Sequence, residues 1–446
     1  DFSKVCFCLV LLTSVLLLAA CSAGAQSQFS PENVLTYATL YPDQIDRRAV
    51  NEFNRTHADI QIEVQVYSDE NGQRGMDRLF TEMSVGQVPD IVNLTGLPYQ
   101  LLAKKEYLED LWPYIENDSE LGRENVLDAP LKAAEIGGKL YTVFDYVCID
   151  TLVGAESIVG DRYSWTLENL ETAFAAMPED STILEYSTTK STIFSHLFWM
   201  EMDNYLNWET GQVLFDSENF RSALEFSNQF PAKFNWTSDE EIAAETTERI
   251  LLGRQMLHHT VASRLLDIQS WDTLYGLGGR ASPVGYPVED GSTGSSFYFT
   301  SKMHRLAMSS SCQKKGEAWE FIRMLLLPQY ADKRDDQIIF NPPPGIPINR
   351  SDYMRLIQLD MSNAASSTQV GLYMGPERIP CHPSTKEELA RFEEFINSID
   401  KIQLRDNTLH DIVLEIVGAY FAGDKTLDDT VALVQNRATL YVNENR

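Results

Sequence analysis

Apolar and polar positions along the chain repeat with a period of two in some stretches and with helical spacing in others, and the switches between them predict its elements. Val34 to Leu40 reads as a strand, Gln44 to Thr56 as a helix with Ile45, Ala49, Val50 and Phe53 on one face, and Ile60 to Val66 as a strictly alternating strand. Gly75 to Gly86 sets Met76, Leu79, Phe80 and Met83 at helical spacing and leads to a strand in Pro89 to Leu94. Strand, helix, strand, helix, strand predicts an α/β layer with a mostly parallel sheet. Ligands of such sheets bind where loops leave the carboxyl ends of the strands, so Tyr41 and Asp43 after the first strand and Asn93 and Thr95 after the third face the candidate cleft.

Further on, Thr166 stands where the N-cap of a helix belongs. Ser191 to Met202 mixes Phe194, Phe198 and Trp199 with hydroxyl residues, Asn207 to Phe215 folds as a hairpin around Gly211, and Asp216 to Phe230 is an amphipathic helix. The run Pro283 to Leu327 opens with Gly and Pro at turn positions and passes into an alternating strand through Tyr298, Thr300, Met303, Leu306 and Met308. It closes as a helix with Ala318, Trp319, Ile322, Leu325 and Leu326 on one face, Ser311 or Cys312 in the capping region and Pro328 as its stop. Thr426 to Asp429 reads as a capping box before Val431, Val434, Ala438 and Tyr441 at helical spacing.

A length of 446 residues exceeds one usual hydrophobic core and predicts two domains. The net charge of −29 repels nucleic acid and anionic headgroups and favours neutral or cationic small ligands. Enzyme signatures such as HExxH, GxSxG, a Walker loop or a GxGxxG opening a helix are missing, and the seven histidines show no metal spacing in sequence. The apolar run Val5 to Ala20 is short for a membrane span and ends in Leu18-Ala19-Ala20-Cys21, which resembles a bacterial lipobox. That resemblance implies export, a signal peptide over residues 1–20, lipidation of Cys21 and a flexible tether over 21–32. Cys148, Cys312 and Cys381 remain as three widely separated thiols, expected to be buried or half-buried.

Several of these stretches together resemble the extracellular solute-binding proteins of family 1, the lipoprotein receptors of ABC importers for sugars. They are Val284-Gly285-Tyr286-Pro287 with a following Gly, the serines Ser309 to Ser311, Ala318-Trp319-Glu320-Phe321-Ile322-Arg323, Tyr107 to Ile115, Gly138 to Val143, Trp165 to Leu170, Gly253 to Thr260 and the closing helix with Arg437 and Glu444. The resemblance runs from about Val34 to the C-terminus. It implies an α/β fold of two periplasmic-binding-protein-like (type II) lobes, each a mostly parallel sheet flanked by helices, joined by a multi-segment hinge. The N-terminal lobe would comprise residues 33–146 plus 299–330, and the C-terminal lobe 147–298 plus 331–446. Asn341 to Pro347 would form the last crossing or a brace beside it. Where many members carry a Tyr-Asn pair, this chain has Cys148-Ile149-Asp150-Thr151.

The function so implied is capture of a carbohydrate, an oligosaccharide, between the lobes by hinge closure, and delivery to an ABC permease. The protein would be a monomer without catalysis, cofactor, metal or nucleic-acid partner, lipid-anchored on the extracytoplasmic face of a bacterial cell membrane. Aromatic faces and fixed polar groups suit such a ligand. The candidates are Tyr41, Asn93, Thr95, Tyr99, Trp199, His259 and Tyr286, with Asp90 expected to be structural. The acidic surface leaves two alternatives open: the same architecture with a polyamine, peptide or other cationic solute, and a surface-anchored glycan-adhesion protein or hydrolase.

Overall fold

The computed structural model describes residues 33–445 apart from 45, 68–72, 276–278, 329–343, 363–370, 375–376, 381 and 404–405. The signal peptide, Cys21, the tether, Cys381 and residues 341–343 of the Asn341–Pro347 run therefore lie outside the described residues.

In chain order the strands among the described residues are β1 (Val34–Thr39), β2 (Gln61–Val66), β3 (Ile91–Asn93), β4 (Val143–Phe144), β5 (Tyr146–Ala155), β6 (Leu206–Asn207), β7 (Gln212–Val213), β8 (Leu257–Ala262), β9 (Ala281–Pro283), β10 (Ser296–Tyr298), β11 (Arg305–Met308), β12 (Ile346–Pro347), β13 (Gly371–Met374) and β14 (Glu377–Pro380), the last two forming an antiparallel pair. A first five-stranded sheet has the order β2-β1-β3-β11-β4, with β1 parallel to β2 and β3, and β11 antiparallel to both β3 and β4. In a second sheet β8, β9, β10 and β12 all pair antiparallel with β5. Each sheet has four strands in one direction and a single opposing strand; the first is mixed, with two parallel and two antiparallel ladders. The second, expected to be mostly parallel, has antiparallel ladders only, because its central β5 runs against all four neighbours.

The elements follow from local chemistry. The Asp46 carboxylate accepts the Ala49 N–H at 2.9 Å to start helix Arg47–Thr56, whose Ala49, Val50 and Phe53 are buried. Thr166 and Asn169 cap helix Leu167–Ala175 reciprocally. Gly211, at φ 76°, turns the β6–β7 hairpin, and Ser217 caps helix Glu218–Ser227. Two expectations fail: helix Lys315–Ile322 has Lys314 at its N-cap without a side-chain bond, past Ser311 and Cys312, whose N–H donates to Ser309 O, and the expected strand through Tyr298 to Met308 is split into β10 and β11. Asp90 is structural, its carboxylate accepting both N–H and Oγ1–H of Thr36 at 2.9 Å.

The chain passes from the first sheet to the second at Asp145, returns between β10 and β11, and reaches the second sheet again at β12. One buried apolar cluster follows these crossings, from Tyr37 and Phe53 through Val147 and Ile149 of β5 to Trp271 and Phe395. Gly345 lets β12 approach this junction closely, since a Cβ there would lie 2.5 Å from the Val147 carbonyl oxygen. Cys148 and Cys312 are buried free thiols, and burial pushes both up to about 12. Among the described residues no helix is long and apolar enough to cross a membrane.

Candidate functional site

The densest polar constellation lies on the second sheet. Asp150, in the middle of β5, is 2% exposed. The β5–β8 register sets Leu152 opposite His259 and Val153 opposite His258. His196 comes from helix Lys190–Tyr205, which Thr189 caps through the Thr192 N–H, and Tyr286 from the loop after β9.

The His259 Nε2 lies 2.9 Å from Asp150 Oδ1, and His196 Nδ1 lies 3.6 Å from Asp150 Oδ2. Gln403 donates from Nε2 to Asp150 Oδ2 at 2.9 Å and to Ser296 Oγ at 2.7 Å. Burial alone would raise the Asp150 carboxyl, but the two imidazoles beside it hold it well below the usual carboxylate range. His259 is shifted the opposite way: burial lowers it, and the Asp150 carboxylate outweighs that and raises it. Next to this pair, His258 Nδ1 lies 2.5 Å from Glu185 Oε1, which also accepts the His259 N–H at 3.0 Å. Tyr286 stacks on His196 with ring centroids 5.1 Å apart and planes 10° apart.

The Tyr286 loop is fixed by its glycines. Gly285 has φ +72°, and a Cβ there would sit 2.3 Å from the Gly294 carbonyl carbon, while one on Gly294 would sit 2.1 Å from the Tyr286 oxygen. The Tyr286 N–H donates to Gly294 O at 2.7 Å across this approach. Two stretches of the family resemblance, Gly285-Tyr286-Pro287 and Trp165, meet here.

A cavity of about 830 Å³ opens beside these residues. His196, His258, His259, Tyr286, Phe234 and Trp236 are among its lining, and Trp236 presents its ring at 69% exposure. Its carboxylates are Glu185, Asp239 and Asp267; Glu185 is engaged with His258, and Asp267 accepts the N–H groups of Ser263 and Arg264.

The structure divides the sequence candidates into groups. Tyr41, Asn93 and Thr95 sit together past the ends of β1 and β3: Asn93 accepts the Thr95 N–H at 2.9 Å, donates to Tyr37 Oη at 3.3 Å, and the Tyr41 ring packs on Gly96. His259 and Tyr286 belong to the second-sheet cluster, with ring centroids 6.3 Å apart. Trp199 stacks on His410 at 4.6 Å, half-buried against the helices of the C-terminal end. Tyr99 is 1% exposed, donates to Ala134 O at 2.8 Å and accepts the Tyr141 N–H at 3.3 Å, which makes it a core tyrosine at the start of helix Tyr99–Lys104. That helix touches helix Lys190–Tyr205 through Gln100 Nε2 to Asp203 Oδ1 at 2.8 Å and through Leu101, which joins the cluster of Phe194 and Phe198. Sequence reading missed Asp150, His196, Glu185 and His258 as site residues. A polar residue inside the continuous apolar run of β5 was the one available signal, since a buried carboxylate needs partners.

No family model matches the chain. Over 148 residues it is 32% identical to the arabinooligosaccharide-binding protein of Bacillus subtilis (strain 168), an alignment covering 32% of this chain and 33% of that protein. The chain thus matches about a third of the length of this curated relative. Among solved structures it is similar to the sugar-binding protein MalE of Xanthomonas citri, with a TM-score of 0.51 and 14% identity over 92% of this chain and 98% of that one. It is equally similar to a periplasmic oligogalacturonide-binding protein of Yersinia enterocolitica, with a TM-score of 0.51 and 13% identity over 92% and 99% of the two chains. The chain shares the fold of these two binding proteins over more than nine-tenths of its length.

Proposed function

We propose that the chain is the substrate-binding lipoprotein of an ABC importer, capturing an oligosaccharide between two lobes and presenting it to the permease. The observation that supports the ligand class is the cavity beside β8, lined by residues of the second lobe, where the exposed Trp236 ring and the Phe234 ring share the wall with histidines, threonines and carboxylates. Ring faces match the C–H surfaces of sugars, and histidines, threonines and carboxylates match their hydroxyls. The curated relative named for arabinooligosaccharides supports the same ligand class. The lobes comprise residues 33–146 plus 299–330 and 147–298 plus 331–446. Tyr41 and Thr95 contribute from the first, with the fully buried Asn93 holding Thr95 in place, and His259 and Tyr286 from the second. The ligand stabilises the closed arrangement because it touches both lobes only there. Cys21 carries the lipid that keeps the protein at the extracytoplasmic face, and no catalytic step is needed.

A polyamine or other cationic solute would call for free carboxylates in the cavity, and two of the three lining ones are already engaged. That favours the neutral sugar.

Thermal melting and small-angle scattering with arabino-, galacturono- and malto-oligosaccharides test the reading, with spermidine as the cationic arm. One sugar series is expected to raise the melting temperature and contract the molecule, and Trp236→Ala to abolish that shift without lowering the ligand-free melting temperature. No response to any saccharide at millimolar concentration, or a response to spermidine alone, overturns it.

A further inference from the structure

Asp150, His196 and His259 each place one ligand atom so that all three lie within 4.8 Å of one another. We propose that these residues form a binding site for a borderline divalent transition ion, Zn²⁺ foremost, at the wall of the second-sheet cavity. The site does not rest on the sugar-receptor reading.

Spacing is the first argument. Around tetrahedral zinc with bonds of about 2.0–2.1 Å, neighbouring ligand atoms stand roughly 3.3 Å apart. His259 approaches Asp150 Oδ1 at 2.9 Å and His196 approaches Oδ2 at 3.6 Å, so the imidazoles flank the two oxygens of one carboxylate, and with one atom per residue the set lies within 4.8 Å, from which an ion draws the imidazoles inward. Two imidazoles and one carboxylate suit zinc and its neighbours rather than calcium or magnesium, which take oxygen shells.

Support and access come next. The ligands ride on β5, β8 and helix Lys190–Tyr205, elements whose pairing and packing hold side chains in place. Gln403, anchored on Ser296, orients the Asp150 carboxylate, an outer contact of the kind that tunes metal ligands. The His196 and His259 side chains are 25% and 37% exposed and line the cavity, whereas Asp150 is enclosed behind them, so an ion entering from solvent meets the imidazoles first. Glu185 adds a second negative charge beside His259.

The Tyr286 side chain belongs to the same cluster: it is buried, its ring lies flat on His196, and its hydroxyl faces the Asp150 carboxylate. Binding exchanges the His259 proton shared with Asp150 for the metal, so nitrogen lone pairs replace an N–H.

The experiment is titration of the EDTA-stripped full chain with Co²⁺ and Zn²⁺. Uptake of one Co²⁺ with the intense visible bands of a tetrahedral site is expected, displaced by one equivalent of Zn²⁺. The double variant His196→Ala/His259→Ala is expected to lose that spectrum and at least about 100-fold in affinity while keeping its circular dichroism. Should the double variant fail to fold, His196→Gln and His259→Gln singly give the same readout. Tyr286→Phe is expected to keep the stoichiometry and change the Co²⁺ spectrum. Bands typical of octahedral Co²⁺, or uptake unchanged in the histidine variants, overturn the proposal.

Discussion

Trp165 donates its indole N–H to the Gly285 carbonyl oxygen at 2.9 Å, so the residue just ahead of helix Leu167–Ala175 also holds the loop that carries Tyr286. The same loop is closed by the Tyr286 N–H on Gly294, whose missing side chain permits the approach.

Gly294→Ala is therefore expected to be costly. A Cβ 2.1 Å from the Tyr286 oxygen forces the backbone apart, and overpacking of this kind destabilises by roughly 1–3 kcal/mol. Urea unfolding measures the loss, and ligand affinity should fall with it because Tyr286 moves. Gly253→Ala is a control for loss of φ freedom alone, since its φ is +65° and no atom crowds its Cβ position. A Gly294→Ala protein as stable as the Gly253→Ala one would show that the clasp contributes nothing.

Arg323 and Asp118 make the second prediction. The guanidinium donates from Nε to Oδ2 at 2.7 Å and from Nη2 to Oδ1 at 2.8 Å, and the Trp319 indole N–H adds a third donor at 3.0 Å. Burial alone would raise the Asp118 carboxyl, but Arg323 holds it well below the usual range. A depressed carboxylate gives stability that is present above its unfolded value near 4 and is lost as pH falls. Arg323→Ala should cost about 3 kcal/mol in urea unfolding at pH 7, and Arg323→Lys less, since it keeps the charge and loses the fork. The gap between wild type and Arg323→Ala should narrow in acid.

His304 titrates in the opposite sense. Burial lowers it, but the hydrogen bond to Asp145 Oδ2 at 2.7 Å and that carboxylate's charge win and raise it. Its protonated form therefore stabilises fully below about 6.5, the unfolded value, and the contribution disappears as pH rises through the higher folded value. The difference in melting temperature between wild type and His304→Gln should be largest near pH 6 and shrink by pH 8. Because Asp145 is the residue between β4 and β5, scattering on His304→Gln also reports whether this pair restrains the crossing.

Much of the first sheet was legible in the chain, because the helices between its strands bury one face and leave a periodic trace, while β1, with five of its six residues buried, stands out as an apolar run. Thr166 and Gly211 were legible for a different reason, as each meets a local backbone need that few residues satisfy. β5 was not: nine of its ten residues are buried on both faces, so no alternation separates its partners, and pairing with four other strands leaves no local mark. The site followed the same rule. Of the Asp150, His196 and His259 cluster only His259 was named from the sequence, at a strand exit, because the three come from separated segments that only tertiary packing brings together. Tyr99 misled because an aromatic after Pro98 looks like a loop residue, while the structure starts a helix there and seals the ring inside.

The position of β11 has a consequence for how the molecule is made. This strand is wedged between β3 and β4, yet it is synthesised only after the whole of the second sheet except β12. The first sheet therefore stays open between β3 and β4 until residue 308 has been made, and its completion is a contact between segments more than 160 residues apart.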